Sequence, residues 1–158
     1  MINFLKAEEQ HQHKNGGGWV ANTAKIEETA YIGPNAQVYG DARVSGNALV
    51  YDDARVSGYA QVYGNAQVSG NARVYGDAQV YGNAQVSGDA WENSPLYIQG
   101  SRHGITNSSH GKLNIGCIVL TFKEWKKQFR AIGKREGYTP AQIKEYGAII
   151  ALATKIGK

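Results

Sequence analysis

Aliphatic residues recur at every sixth position of this chain between residues 20 and 86. Alanine stands two positions before most of them, and the typical unit is Asn/Asp-Ala-x-Val-x-Gly, as in Asn65–Gly70. A period of six fits no α-helix, but it suits short strands whose inward positions alternate between alanine and valine, with a glycine-containing turn after each pair. The aliphatic positions are Val20, Ile26, Ile32, Val38, Val44, Val50, Val56, Val62, Val68, Val74, Val80 and Val86.

Three such units close a triangular coil of eighteen residues, so residues 20–91 make four coils. At about 4.8 Å per stacked strand the prism is about 19 Å tall. We predict a mainly β protein: a parallel β-helix of about four coils, a short β segment and a C-terminal α-helical hairpin. The predicted boundaries are an N-terminal arm over 1–18, the β-helix over 19–91, a β-hairpin connector over 92–120 and a basic helical hairpin cap over 121–158.

The repeats resemble those of the hexapeptide-repeat superfamily, and this resemblance implies a left-handed coil. Many members are acyltransferases with a histidine on a loop that interrupts the repeats, and others bind zinc through three histidines on adjacent coils. Neither feature is present within residues 20–91, because the units are unbroken and the four histidines lie at 11, 13, 103 and 110. The His11-x-His13 pair has the chemistry of a metal ligand, but a flexible polar arm is the simpler interpretation, and we predict no metal site.

Residues eighteen apart stack, so each outward face can be read from the sequence. The first face carries Arg55 and Arg73 one above the other, and we place Trp91 in the same column and Tyr75 in the next. Stacked like charges repel unless an anion neutralises them, and arginine binds phosphate in a bidentate manner. These four residues are therefore a predicted ligand-binding group. The alternative is that the arginines extend into water or pair with corner residues.

The second face is uncharged and exposes Tyr31, Leu49 and Tyr51. Such a surface favours self-association, so we predict a homo-oligomer, most plausibly a trimer, through these residues. The third face, which begins with Lys25 and Arg43, has the composition of ordinary solvated surface.

The C-terminal part has a different composition and charge. Residues 1–91 contain six Lys/Arg and nine Asp/Glu, whereas residues 92–158 contain eleven and four. Leu96 and Ile98 alternate like a strand, and 112–116 is its predicted partner strand. Thr121-Phe122-Lys123-Glu124 is a capping box that opens a helix, and Thr139-Pro140 opens a second one. The basic helix face lacks any base-reading motif, so the sequence does not indicate a nucleic-acid partner.

Arg102 and His103 lie between Ser101 and Gly104. A flexible turn with exposed N–H groups, a cation and an imidazole suits an anion, so this pair is a second predicted ligand-binding group. The alternative is a hairpin tip with two solvated side chains.

The region from Ser94 onward, with Gln99–His103, Ile115–Cys117 and Ile132–Tyr138, resembles a C-terminal module of hexapeptide proteins from phages and prophages, and Asn15–Gly18 also resembles that family. The resemblance implies a phage accessory protein acting inside a bacterium. It confers no known activity.

The remaining composition narrows the class of protein. A single cysteine, Cys117, excludes an intrachain disulfide framework. No apolar run has the length of a membrane span, and the charged N-terminus lacks the apolar stretch of a secretory signal. We therefore expect a soluble cytoplasmic protein, in the host cytoplasm if it is phage-encoded, with no cofactor.

Three functions remain open. The first is a non-catalytic oligomeric binding protein that sequesters an anionic small molecule, such as a nucleotide second messenger, as a phage-type anti-defence protein. The second is a CoA-dependent acyltransferase that uses His103, the one plausible base. The third is a structural or trimerisation module of a virion or another assembly. The missing catalytic groups favour the first, and no catalytic residue is assigned.

Overall fold

The computed structural model of the protein describes residues 9–157, so the predicted arm is described only from residue 9. These residues fall into two compact units, divided between Ser94 and Pro95. The first is a parallel β-solenoid of about four turns. Its strands are β1 Gln10–Gln12, β2 Trp19–Ala21, β3 Lys25–Ile26, β4 Tyr31–Ile32, β5 Gln37–Val38, β6 Arg43–Val44, β7 Leu49–Val50, β8 Arg55–Val56, β9 Gln61–Val62, β10 Gln67–Ser69, β11 Arg73–Val74, β12 Gln79–Val80, β13 Gln85–Ser87 and β14 Ala90–Trp91.

The strands form three sheets that match the three predicted faces. The first face has the order β1-β2-β5-β8-β11-β14, the second β13-β10-β7-β4 and the third β12-β9-β6-β3. Within the repeats every neighbouring pair is parallel and in register, as in Arg43 with Gln61 and Val44 with Val62. The predicted stacking at intervals of eighteen residues is therefore confirmed from β2 to β13.

The solenoid interior consists of the alanines and valines of the repeat. From Ala30 to Val86 these side chains are between 0 and 1% exposed. Alanine is small enough for the chain to turn beside it, and valine suits a pleated surface. Most corners need glycine: Gly58 has φ of +67°, and a Cβ on it would lie 3.0 Å from the amide nitrogen of Gly76 in the next coil.

The last coil departs from the period. Arg73 pairs with Ala90 and Val74 with Trp91, so one residue fewer separates the partners than in the coils below. The Arg73 N–H donates to the Asp89 carbonyl, 2.8 Å away, which gives Asp89 the backbone position that an inward alanine holds in other coils. Asp89 itself adopts a left-handed φ of 59°. The shortened coil turns Trp91 inward, where it is 2% exposed.

The first coil is covered on one edge by the segment expected to be a flexible arm. Strand β1 pairs antiparallel with β2, with His11 opposite Val20, so the interpretation of these residues as a flexible arm is wrong. Polar contacts hold the segment that follows: Asn15 donates its side-chain amide to the carbonyl of Ala30 at 3.1 Å, and the Gly18 N–H donates to the carbonyl of Ile32. An edge strand covered in this way is protected from pairing with another chain.

The second unit combines an antiparallel sheet with two helices. Its strands are β15 Tyr97–Gln99, β16 Gly104–Ser109, β17 Lys112–Ile115 and β18 Ile118–Thr121, in that order across the sheet. We expected 112–116 to pair with the strand around Leu96 and Ile98, but β15 pairs with β16 instead. The cause is the tight turn at 100–103, which returns the chain directly alongside β15.

The two predicted helices are confirmed as α1 (Phe122–Arg135) and α2 (Pro140–Ile156). Thr121 and Thr139 each form a reciprocal capping box with the residue three positions later. Helix α1 ends before Gly137, whose φ of +70° suits a helix terminus. The helices share one apolar core with the sheet, formed by Ile105, Leu113, Ile115, Trp125, Tyr146, Ile150 and Ala153.

Because the inward positions are known, the effect of an inward charge on stability can be predicted. Val62→Asp introduces an unpaired carboxylate at a position that is 0% exposed. We expect a loss of about 3–5 kcal/mol of unfolding free energy, measured by chemical denaturation followed by circular dichroism.

Gln61→Asp is the matched control, because Gln61 is the outward neighbour on the same strand. We expect it to change stability by less than about 0.5 kcal/mol. Equal effects of the two substitutions would contradict the inward and outward assignment.

Candidate functional site

The first face has the arginine pair that the repeat predicts. Arg55 and Arg73 are direct partners across β8 and β11. Tyr75 lies in the adjacent column, where its N–H donates to the Trp91 carbonyl at 2.9 Å, and its side chain is 36% exposed. The three side chains therefore share one outward surface. Their role in ligand binding stays a prediction.

Trp91 does not belong to this outward group. We expected its indole above Arg73, but it pairs with Val74 and lies in the solenoid interior. The shortened last coil is the reason, because a shift of one residue moves a side chain to the opposite side of a strand.

The second face brings Tyr31, Leu49 and Tyr51 together as predicted. Tyr31 pairs with Leu49, and the Tyr51 hydroxyl donates to Gln67 Oε1 at 3.5 Å. All three are half-buried within the single chain. Self-association through this surface stays a prediction.

The turn that carries Arg102 and His103 is closed rather than open. The Ser101 N–H donates to Glu145 Oε1 at 2.7 Å, and the Arg102 N–H donates to the Tyr146 hydroxyl oxygen at 3.1 Å. The His103 N–H donates to the same oxygen, and the Tyr146 hydroxyl donates in return to the His103 carbonyl. The expectation of exposed N–H groups that receive an anion is therefore wrong, because Glu145 and Tyr146 already occupy them.

The Arg102 side chain is oriented by aromatic contact. Its guanidinium carbon lies 4.8 Å from the ring centroid of Tyr138, and Nη1 donates to the Gly137 carbonyl at 3.2 Å. The Tyr138 ring in turn makes an edge contact with Tyr146, with 5.1 Å between centroids, and lies 6.1 Å from the His103 ring. Arginine over an aromatic face gains a cation–π attraction and keeps its remaining donors available.

This cluster stands at the mouth of a cavity inside the second unit. The cavity has a volume of about 70 Å³. Its interior walls are apolar side chains of both helices and the sheet, and its polar lining includes Arg102, His103, Glu136 and Tyr138. We call this site the C-terminal cavity. A concave apolar space with a few convergent polar groups is the usual form of a small-molecule site.

Burial raises the pKa of the Tyr138 phenol, and the neighbouring Tyr146 hydroxyl raises it further, whereas the Arg102 guanidinium opposes them by lowering it. The phenol is therefore protonated at neutral pH and able to donate a hydrogen bond.

The sequence did not reveal three members of this cluster. Tyr146 belongs to the apolar face of α2, so its hydroxyl gave no separate signal. Glu145 and Tyr138 act through contacts with residues more than thirty positions away, which no local pattern encodes. The available signals were the Gly100–Gly104 turn and the segments Ile115–Cys117 and Ile132–Tyr138, which belong to the C-terminal resemblance and also line the cavity.

The N-terminal histidines have defined partners. His11 Nδ1 donates to Asn22 Oδ1 at 2.9 Å, and His13 Nδ1 donates to the Asn15 carbonyl at 3.3 Å. Across residues 9–157 no group of three or more His, Cys, Asp or Glu side chains is arranged to hold a metal ion. Within the same range no helix has the length and apolarity needed to span a membrane.

Comparison with known proteins supports the fold. The YdcK β-solenoid repeat model matches residues 36–51, 48–64, 66–82 and 78–93. These segments cover less than half of the chain and concern the repeats alone, so they establish a repeat β-solenoid. No curated protein and no solved structure matches the chain. The phage and hexapeptide resemblances of the sequence stay predictions.

The closed turn predicts a measurable effect of the Tyr146 hydroxyl. Tyr146→Phe leaves the Arg102 and His103 N–H groups without their acceptor, so we expect a loss of about 1–3 kcal/mol in unfolding free energy. Tyr59→Phe is the control, because Tyr59 is 66% exposed. Identical denaturation midpoints for both variants would contradict the role assigned to Tyr146.

The uncharged second face predicts the assembly state. Leu49→Arg combined with Tyr51→Glu should reduce particle mass in light scattering, because charges at an apolar interface lose their hydration. Gln37→Arg with Tyr39→Glu makes the same changes at the matching positions of the first face and should leave the mass unchanged. A wild-type protein that is monomeric at micromolar concentration would contradict the prediction.

Proposed function

We propose that this protein is a non-catalytic binding protein for a small organic anion, and that the C-terminal cavity is the binding site. The observation that carries the proposal is the Arg102 guanidinium, which is held over Tyr138 at the mouth of an apolar cavity. The cavity would receive the apolar part of the ligand, and Arg102 would receive its charge.

The cavity limits the apolar part to a short chain. An engineered cavity that binds benzene has a volume of about 150 Å³, roughly twice the volume of this one. Walls formed by side chains such as Ile118, Phe129 and Ile143 offer dispersion contacts and no charge. A few aliphatic carbons match this space, whereas a nucleobase does not.

The polar mouth suits a carboxylate or phosphate. Arg102 commits one N–H to Gly137, and its other donors can bind two oxygens of an anion. Tyr138 adds a neutral phenol donor nearby. Glu136 is the one carboxylate in the lining, and Arg135 partly neutralises it through a contact of 2.8 Å between Nε and Oε1.

The solenoid supports binding rather than catalysis. Its repeats follow one another from β2 to β13 without an inserted loop, and no histidine lies between residues 14 and 102. The acyltransferase alternative would have to use His103, whose ring borders a cavity of acyl-chain size. We place it second, because the N–H and the carbonyl of His103 are both hydrogen-bonded to the Tyr146 hydroxyl, which ties down the backbone that carries this imidazole.

The narrower expectation, sequestration of a nucleotide second messenger by a phage protein, stays a prediction. The C-terminal cavity is too small for a base, so a nucleotide would need a site on the solenoid.

The proposal is tested with butyrate and its neutral analogue butanamide in calorimetric titrations of the full chain. We expect butyrate to bind more tightly than butanamide, and Arg102→Ala to weaken butyrate binding by about 10- to 150-fold, which corresponds to about 1.5–3 kcal/mol for a charge-assisted contact. Lys126→Ala is a control outside the cavity and should bind butyrate normally.

Equal affinity for butyrate and butanamide, or an unchanged Arg102→Ala variant, would contradict the proposed site. Acetyl-CoA turnover that His103→Ala abolishes would support the acyltransferase instead. If neither butyrate binding nor acetyl-CoA turnover is detected, the structural module becomes the better interpretation.

A further inference from the structure

A second site lies on the third face of the solenoid, which the sequence indicated to be ordinary solvated surface. A groove with a volume of about 700 Å³ begins at the first coil, where Val20, Ala24, Ile26, His11 and His13 line it, and continues onto the third face along Lys25, Arg43, Ser45 and Tyr63. This volume is within the range of about 300–1,000 Å³ typical of ligand sites. We call it the third-face groove.

The groove presents two adjacent cations. Lys25 pairs directly with Arg43 across β3 and β6, so two exposed cations stand about 4.8 Å apart at the backbone. Glu27 is the carboxylate in the lining, and its Oε2 accepts from the Gly46 N–H at 2.7 Å. Asp41 borders an adjoining depression beside the same two cations. An anion between Lys25 and Arg43 would relieve their repulsion.

An aromatic stack ends inside the groove. Tyr63 and Tyr81 are stacked, with 5.6 Å between ring centroids and 15° between planes. The position one coil below Tyr63 in the same column is Ser45, whose N–H donates to the Val62 carbonyl. Because serine is small, this level of the column lacks a ring. A planar ligand placed over Ser45 would extend the tyrosine stack by one layer.

The two cations lie beside the position over Ser45 where the column lacks a ring. Ser45 directly follows strand β6, two positions after Arg43, and both residues line the groove, while Lys25 lies directly below Arg43. His11 and His13 also line the groove, where Asn22 and Asn15 hold the Nδ1 atoms of their rings.

We propose that the third-face groove binds an organic anion that carries a planar aromatic ring, the chemistry of a nucleoside phosphate. The anion contacts Lys25 and Arg43, and the ring stacks on Tyr63 above Ser45. This site shares no residue with the C-terminal cavity, so either proposal can fail alone.

The test uses calorimetric titration of the full chain with AMP, adenosine and inorganic phosphate. AMP should bind at least about tenfold more tightly than either fragment, because it satisfies both halves of the groove. Arg43→Ala should weaken AMP binding by about tenfold or more.

Ser45→Tyr provides the sharper variant, because a tyrosine at this position fills the vacant level with the residue that the column already has at 63 and 81. We expect it to keep the melting temperature and to weaken AMP binding by about 5- to 150-fold. Ser57→Tyr is the matched control, since Ser57 lies at the corresponding position of the first face, between Tyr39 and Tyr75. It should bind AMP within about twofold of wild type.

If AMP binds no more tightly than phosphate, the ring contributes nothing to affinity and the proposal is overturned. Absence of AMP binding at millimolar concentration, or equal effects of Ser45→Tyr and Ser57→Tyr, would also overturn it. Arg102→Ala should leave AMP affinity unchanged, which separates this result from that of the C-terminal cavity.

Discussion

The inward stack of alanine and valine positions every outward side chain of the solenoid. These residues are almost completely buried, and each strand carries only two or three residues. A slip of one residue would move the valines to the solvent and the polar side chains inside, so the interior fixes the register strongly. The arginines of the first face and the cations of the third face are aligned because the interior leaves them no other register. The electrostatic repulsion between them is a cost that hydrophobic burial offsets.

The same constraint explains how far the sequence predicts this structure. The six-residue period determines the strands, the faces and the pairing of Arg55 with Arg73, because each follows from the spacing alone. The position of Trp91 was predicted wrongly because the sequence keeps its period through Ala90. Only the structure shows that the last coil is one residue shorter, with Asp89 in the backbone position of the inward alanine. The capping box at Thr121 and the helix start at Thr139 were predictable, since all their contacts are local.

Contacts between distant parts of the chain account for the remaining differences. Nothing in the residues around His11 indicates that they pair with β2. The sequence around Arg102 predicts a flexible polar turn, but Glu145 and Tyr146 of α2 accept hydrogen bonds from its backbone N–H groups. The third-face groove arises from the combination of Lys25, Arg43 and the gap over Ser45, each of which is unremarkable alone. Candidate sites were therefore less predictable than the fold, because they join residues from several coils or elements.

The two proposed sites place opposite demands on a ligand. The C-terminal cavity is small and apolar, with one oriented guanidinium, and we propose that it receives a short chain with one charge. The third-face groove is larger and carries charged and aromatic side chains, and we propose that it receives a ring and a phosphate. We propose that this fold presents two separate anion sites, one on the solenoid and one in the second unit.

The most direct measurement is a map of amide chemical shifts in ¹H–¹⁵N spectra of the protein titrated with butyrate and with AMP. The account predicts two sets of perturbed amides that do not overlap: butyrate should affect the segments around Arg102, Cys117 and Tyr138, and AMP those around Lys25, Arg43 and Tyr63. Perturbation of one common set by both compounds, or of amides outside both sites, would contradict it.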